Sequence, residues 1–130
     1  MRKLLTLLFS ILISFNSYGY WNELSTNDKS TFYINDETIN TIGEYVYYWD
    51  LTNHNTPTKN GTLSIKIKKQ GDCKLKRVKP LSFIFYKQSM GKGDGNPYTP
   101  EESEWFYDPP GSVGLYELSY VCEVVKLTGK

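Results

Sequence analysis

Few side chains in this 130-residue chain have the type and spacing to do chemistry: two cysteines, one histidine and fourteen carboxylates. Cys73 and Cys122 stand 49 positions apart, the second almost at the end of the chain. A nucleophilic thiol needs a base beside it, and His54 is the one imidazole available. A structural metal centre takes about four soft ligands, which two thiols and one imidazole cannot supply. Asp94, Glu101, Glu102, Glu104 and Asp108 crowd one stretch, yet no D-x-[DN]-x-[DN]-G pattern is present, so a solvated acidic loop is expected rather than a calcium site. Carboxylate pairs could also serve glycoside hydrolysis, but spacing alone selects none of them. "MGKGDG" (90–95) lacks the GK[ST] and the following helix of a phosphate-binding loop and reads as a flexible turn. No catalytic residue, metal site or cofactor is expected.

The compartment decides how the cysteines read. The chain opens "MRKLLTLLFSILISFNSYGYW": Arg2 and Lys3, then a run of roughly 12 mostly apolar residues, then small residues at Ser17 and Gly19, a secretory signal peptide over 1–19. The run falls short of the ~20 residues a bilayer span requires. No second apolar run follows, so no integral membrane segment is expected after its removal, and with no cysteine at the cut a lipid anchor is not expected. The protein is therefore expected to be exported, to the periplasm, the cell surface or the medium. In such an oxidising place two lone cysteines pair, and Cys73–Cys122 is expected to be a disulfide. Closing that loop contributes roughly 4 kcal/mol on the chain-entropy model.

Residues 20–130 are about 111 in number, the size of one domain. Taking Arg2 and Lys3 from the 15 basic residues leaves 13 against 14 acids, a net charge of −1. Nucleic-acid binders are normally strongly basic, so none is expected as a partner. Eleven tyrosines, six phenylalanines and three tryptophans suit half-buried sheet surfaces.

These residues must be positioned by strands. "YWNELS" (20–25) and "STFYIN" (30–35) read as a hairpin, and "DETINTIGEY" as a polar turn. "EYVYYWDLTN" (44–53) alternates, with Tyr45, Tyr47, Trp49 and Leu51 on one side and Val46, Tyr48, Asp50 and Thr52 on the other. In "TLSIKIKKQ" (62–70), Leu63, Ile65 and Ile67 are expected inward and Ser64, Lys66 and Lys68 outward. "CKLKRVKPLSFIFYK" (73–87) is one strand or two broken at Pro80, and 88–111 is an excursion with a short strand or turn near Trp105-Phe106. After Ser112, a plausible N-cap, Leu115, Leu118, Cys122 and Val125 form a helical stripe, although alternation from Tyr116 to Cys122 also permits a strand. The expected class is α+β: an antiparallel sheet of five to six strands with a C-terminal helix.

Lys66, Lys68, Lys69, Lys74, Lys76, Arg77 and Lys79 fall within fourteen residues holding a single acid, Asp72. If 62–70 and 73–79 pair, Lys66, Lys68, Lys74 and Lys76 could share a solvent face and attract a polyanionic glycan, a lipid head group or a protein. Lysines that guard a sheet edge give the same pattern.

In order along the chain, Trp21, "FYINDETI" (32–39), "YVYYWDL" (45–51), "LSIK" (63–66), Asp72-Cys73, "LSFIFY" (81–86), Met90-Gly91-x-Gly93, Trp105, "PPGS" (109–112) and Val121-Cys122 resemble the surface-adhesin protein E family of Gram-negative bacteria. Asn35 stands where that family usually has aspartate. The resemblance implies an antiparallel sheet with a C-terminal helix tethered by the Cys73–Cys122 disulfide. It also implies a non-enzymatic binding role toward host matrix proteins such as vitronectin and laminin, and it admits a homodimer. An internal envelope protein is the rival expectation.

Overall fold

The computed structural model describes residues 20–130; the expected signal peptide, 1–19, lies outside the described residues. Six strands follow one another as an antiparallel meander: β1 (Trp21–Thr26), β2 (Ser30–Ile42), β3 (Tyr45–His54), β4 (Ser64–Asp72), β5 (Arg77–Tyr86) and β6 (Asn96–Tyr98), hydrogen-bonded in that order. One helix, α1 (Val113–Thr128), crosses one side of the sheet. The class is α+β, as the sequence implies.

Short turns set the register. Asn27 Oδ1 accepts from the N–H groups of Lys29 and Ser30, each at 2.9 Å, and so closes the β1–β2 turn with its own side chain. Gly43, at φ +62°, makes the β2–β3 turn. The polar "DETIN" stretch, expected to be a turn, stays inside β2 as a bulge between Asn35 and Asn40. Thr38 makes this possible: its hydroxyl donates to the Asn35 carbonyl at 2.7 Å and accepts from the Trp49 N–H at 3.0 Å, replacing lost ladder bonds. The detour delivers Ile39 to the core.

The next hairpin starts later than expected. Asp72 Oδ1 accepts from the N–H groups of Lys74 and Leu75, folding 73–76 into a turn, so β5 begins at Arg77 and not at Cys73. Pro80 does not divide β5; it lies at a bulge between Lys68 and Lys69 of the partner strand, where a missing N–H is tolerated. β6 had no periodic signal because it is only three residues long.

The last segment is a helix. Ser112 Oγ accepts from the Leu115 N–H at 3.3 Å, and Gly129, left-handed at φ +74°, ends it with an N–H bond to the Val125 carbonyl at 2.9 Å. Its stripe of Leu118, Val121, Cys122 and Val125 packs on Ile34, Ile39, Val46, Tyr48 and Val78. Close approach requires Gly71, where a Cβ would sit 2.6 Å from Leu118 Cδ1. The Cys73–Cys122 disulfide, with Cα atoms 5.9 Å apart, ties the β4–β5 turn to the middle of α1.

Because α1 lies mainly over β2 and β3, Ile65 and Ile67 share its side of the sheet yet remain half-buried. Ser64, expected outward, is fully buried. A 3₁₀ turn (Ser89–Gly91) folds over it, with Ser64 Oγ donating to the Gln88 carbonyl at 2.6 Å and accepting from the Gly91 N–H at 2.9 Å.

Candidate functional site, an aromatic and cationic sheet face

Strand alternation and register sort the remaining side chains. Side chains of directly paired antiparallel residues lie on one face, so the rows Trp21–Asn35–Trp49–Lys68–Ser82 and Tyr33–Leu51–Lys66–Ile84 both lie on the side away from α1. Tyr45 and Tyr47 share that side with Trp49, and beyond the β5 bulge so do Gln70 and its partner Lys79. Trp105 reaches the same side from the loop: Phe106 forms a two-way backbone bridge with Val78, at 2.9 and 2.8 Å. All three tryptophans therefore meet on the face that carries no helix.

Two clusters stand on it. In the first, Lys66 Nζ lies 5.1 Å from the Tyr86 ring centre and 5.6 Å from that of Trp21. Trp21, Trp49, Tyr86, Asn35 and Thr38 line an open cleft of about 230 Å³ around it. Gly91, at φ +66°, fences the lysine stem, since a Cβ there would sit 2.5 Å from Lys66 Cε. In the second, the Trp105 ring takes the Arg77 guanidinium at 4.2 Å and Lys79 Nζ at 4.7 Å, with Tyr45 tilted against it at 5.3 Å. Such cation–ring contacts contribute about 0.5–1 kcal/mol each when exposed.

Arg77 Nε also donates to Asp72 Oδ2 at 3.0 Å. The Asp72 carboxyl is held below its usual range, first by the Leu75 N–H and then by Arg77. By contrast Lys66, Lys68 and Lys79 have no acidic side chain within ion-pair distance among the described residues. These three cations are free to meet an anion from outside.

Of the four lysines singled out from sequence, the fold puts Lys66 and Lys68 on this face. Lys74 and Lys76 sit in the exposed 73–76 turn, Lys76 in a left-handed conformation at φ +55°. The expected hairpin face is thus split, because strand pairing stops at Asp72–Arg77. The fold substitutes Lys79, Arg77 and the tryptophans. No sequence signal pairs Trp105 with residues 77–79 or Trp21 with residue 66; both contacts depend on register and on the path of a loop.

The other potentially reactive groups are engaged elsewhere. His54 Nδ1 is bonded to Ser30 Oγ at 2.9 Å, at the end of β3, and both cysteines are in the disulfide. Among the described residues no cluster of three or more His, Cys, Asp or Glu side chains is arranged to hold a metal. Under α1, Lys69 Nζ contacts Asp50 Oδ2 and lies 3.1 Å from Glu117 Oε1; both acids are only 3% exposed. Burial drives the Glu117 carboxyl well above its ordinary value, with Asp50 adding to it. Burial pulls Lys69 down, but the two carboxylates outweigh it, and its ammonium is held charged. The trio joins α1 to β3 and β4.

The family model described as Surface-adhesin protein E matches residues 21–123. The chain belongs to the surface-adhesin protein E family. Its fold is similar to solved structures of protein E from Haemophilus influenzae. One is 16% identical with a TM-score of 0.59, covering 80% of this chain and 84% of that one. A second crystal form is 18% identical with a TM-score of 0.57, over 85% and 91%. Protein E from a non-typeable strain is 13% identical with a TM-score of 0.57, over 82% and 79%. At these identities the likeness concerns the fold. No curated protein matches the chain by sequence. No helix among the described residues is long and apolar enough to cross a membrane.

Proposed function

We propose that this adhesin E family member is an exported, non-enzymatic binding protein that engages its partner through the sheet face opposite α1. One observation carries the reading: all three tryptophans and three lysines without an acid partner among the described residues share the face opposite α1, which the Ser89–Gly91 turn covers only in part, over Ser64 and Leu51. Tryptophan, tyrosine and arginine are the side chains from which protein contact surfaces draw most of their affinity. On the helix side, α1 occupies β2 and β3, and the apolar cleft left over β4–β6, lined by Ile65, Phe85 and Tyr98, carries neither a tryptophan nor the row of lysines. Export by the 1–19 signal brings that face to extracytoplasmic partners, matrix proteins of a host among them.

Fractionation of native cells, followed by capture on immobilised matrix glycoproteins, tests this. Surface or secreted protein that binds the coat, and a Trp21→Ala/Trp105→Ala variant that stays folded but does not, is the expected result. Native protein confined to the periplasm and co-purifying with an envelope complex would replace adhesion with envelope work.

A further inference from the structure

The three unpaired lysines are not scattered over the face; they follow a line. Lys66 and Lys68 are two residues apart on β4, and Lys79 pairs with Gln70, two residues further on. At ~3.3 Å of rise per residue the cations recur about every 7 Å, and the row spans roughly 13 Å. Each end is marked by an aromatic platform: Trp21 and Tyr86 beside Lys66, and Trp105 beside Lys79 and Arg77. Two loops bound the row. The Ser89–Gly91 turn is pinned at one end by the Met90 N–H bond to Asn53 Oδ1 at 2.7 Å, and the Phe106 bridge borders the other. Asp72, the acid at the Arg77 end, is already engaged by that arginine, and Glu23 lies out on the edge strand β1.

A ligand that fits must be linear, carry negative charge at regular intervals and present flat apolar faces to tryptophan. We propose that this row binds a linear anionic polysaccharide, laid along β4 with its acidic substituents on Lys66, Lys68 and Lys79 and pyranose rings on Trp21 and Trp105. This rests on the face being the partner-binding surface and adds the class of partner. Aromatic platforms with cations also suit single-stranded nucleic acid. The balance of charge favours the polysaccharide, since residues 20–130 carry a net charge of −1, without the excess of basic residues typical of nucleic-acid binders. The two platforms also fix a length: a chain too short to span ~13 Å engages one end only.

The test uses the secreted protein, size-graded heparin oligosaccharides, hyaluronan and oligo-dT, by calorimetry at fixed salt. Affinity should rise steeply once the oligosaccharide bridges both platforms, by up to on the order of a hundredfold, because the second contact becomes intramolecular. Lys68→Glu/Lys79→Glu should lower heparin affinity by at least about tenfold, since like-charge repulsion at two of three sites replaces attraction, while lowering the melting temperature by no more than a few degrees for the lost Lys79–Trp105 contact. Lys66→Met, which keeps the stem in its aromatic cleft, should lower it by a smaller factor. Lys74→Glu/Lys76→Glu should change it little. Binding of heparin with hyaluronan excluded assigns the anion as sulfate; binding of both assigns any acidic sugar. No heparin binding, an undiminished Lys68→Glu/Lys79→Glu variant, or tighter oligo-dT than heparin overturns the proposal. Capture on matrix glycoproteins that survives enzymatic removal of their acidic glycans overturns it too, yet leaves the broader reading standing; loss of all capture ends both.

Discussion

The two sides of the sheet treat charge in opposite ways. Under α1, Lys69 is enclosed between Asp50 and Glu117, and the surrounding side chains are those of the apolar core. On the other side Lys66, Lys68 and Lys79 meet aromatic rings or solvent and, among the described residues, no acid within ion-pair distance. A buried ion must have a partner within the protein, since leaving one unpaired costs several kcal/mol. A half-exposed lysine on a ring retains water and can exchange it for a ligand. One face is built for cohesion and the other is the one proposed to meet a partner, although both come from the same alternating strands.

The comparison breaks most visibly where the helix face is cut. Replacing both cysteines by alanine should cost roughly 4 kcal/mol, the loop-closure value for a crosslink between residues 73 and 122. Urea unfolding should show a lower midpoint and a somewhat steeper slope, since the uncrosslinked chain unfolds to a more expanded state, and ligand affinity measured well below that midpoint should be preserved. A reduced form as stable as the oxidised one would remove the staple from the account.

Lys69→Ala comes next, at about 3 kcal/mol, because it leaves the buried Asp50–Glu117 pair without its cation. The same measurement on Lys68→Ala, one residue along but on the open face, should show about 0.5 kcal/mol or less. Equal losses at the two positions would erase the distinction between the faces.

The pH dependence sharpens it further. The Glu117 carboxyl is raised in the folded protein, so the folded state holds a proton that the unfolded chain releases near the ordinary value of 4.5. Its contribution is therefore full below that value and is lost as pH rises through the folded pKa. Asp72, lowered when folded, works the other way: its contribution is present above 3.8 and lost as the solution is acidified. Glu117→Gln keeps a neutral hydrogen-bonding group in place and should flatten the decline of stability with rising pH. An unchanged profile would mean that Glu117 is ionised under the helix.

Much of the cohesive face is legible in the sequence. An expected export signal with two lone cysteines implies the pairing, and spacing from Leu115 to Val125 suggests a helix whose stripe includes Cys122, although alternation from Tyr116 to Cys122 also permits a strand. Residues 45–51 alternate so regularly that their two sides separate by eye. The contact face is harder to read. Its composition could be guessed from the lysines at 66 and 68, but its membership depends on where strand pairing ends. That is set by Asp72, which captures the amides of Lys74 and Leu75 and turns Lys74 and Lys76 away. Trp105 joins through a bridge made by its neighbour Phe106, an interaction of backbone atoms to which side-chain pattern is blind. The buried position of Lys69 is hidden for the opposite reason. In "IKIKKQ" it looks like one more surface lysine, and only its partners on β3 and α1 reveal the face it occupies.

The smallest expected effect is at the turn. Lys74→Glu/Lys76→Glu reverses two of the four lysines that sequence pattern groups together, yet both stability and ligand affinity should stay within about 0.5 kcal/mol of the native protein, as for surface sites generally.

The central claim, that binding and cohesion are assigned to different faces, is most directly tested by one paired measurement. Melting temperature and heparin affinity are determined together for Lys68→Glu/Lys79→Glu on the open face. A melting temperature lowered by no more than a few degrees, the cost of the Lys79–Trp105 contact, with at least about a tenfold loss of affinity as repulsion replaces attraction, is the predicted result. A variant destabilised as much as Lys69→Ala, or one that binds as well as the native protein, would contradict it.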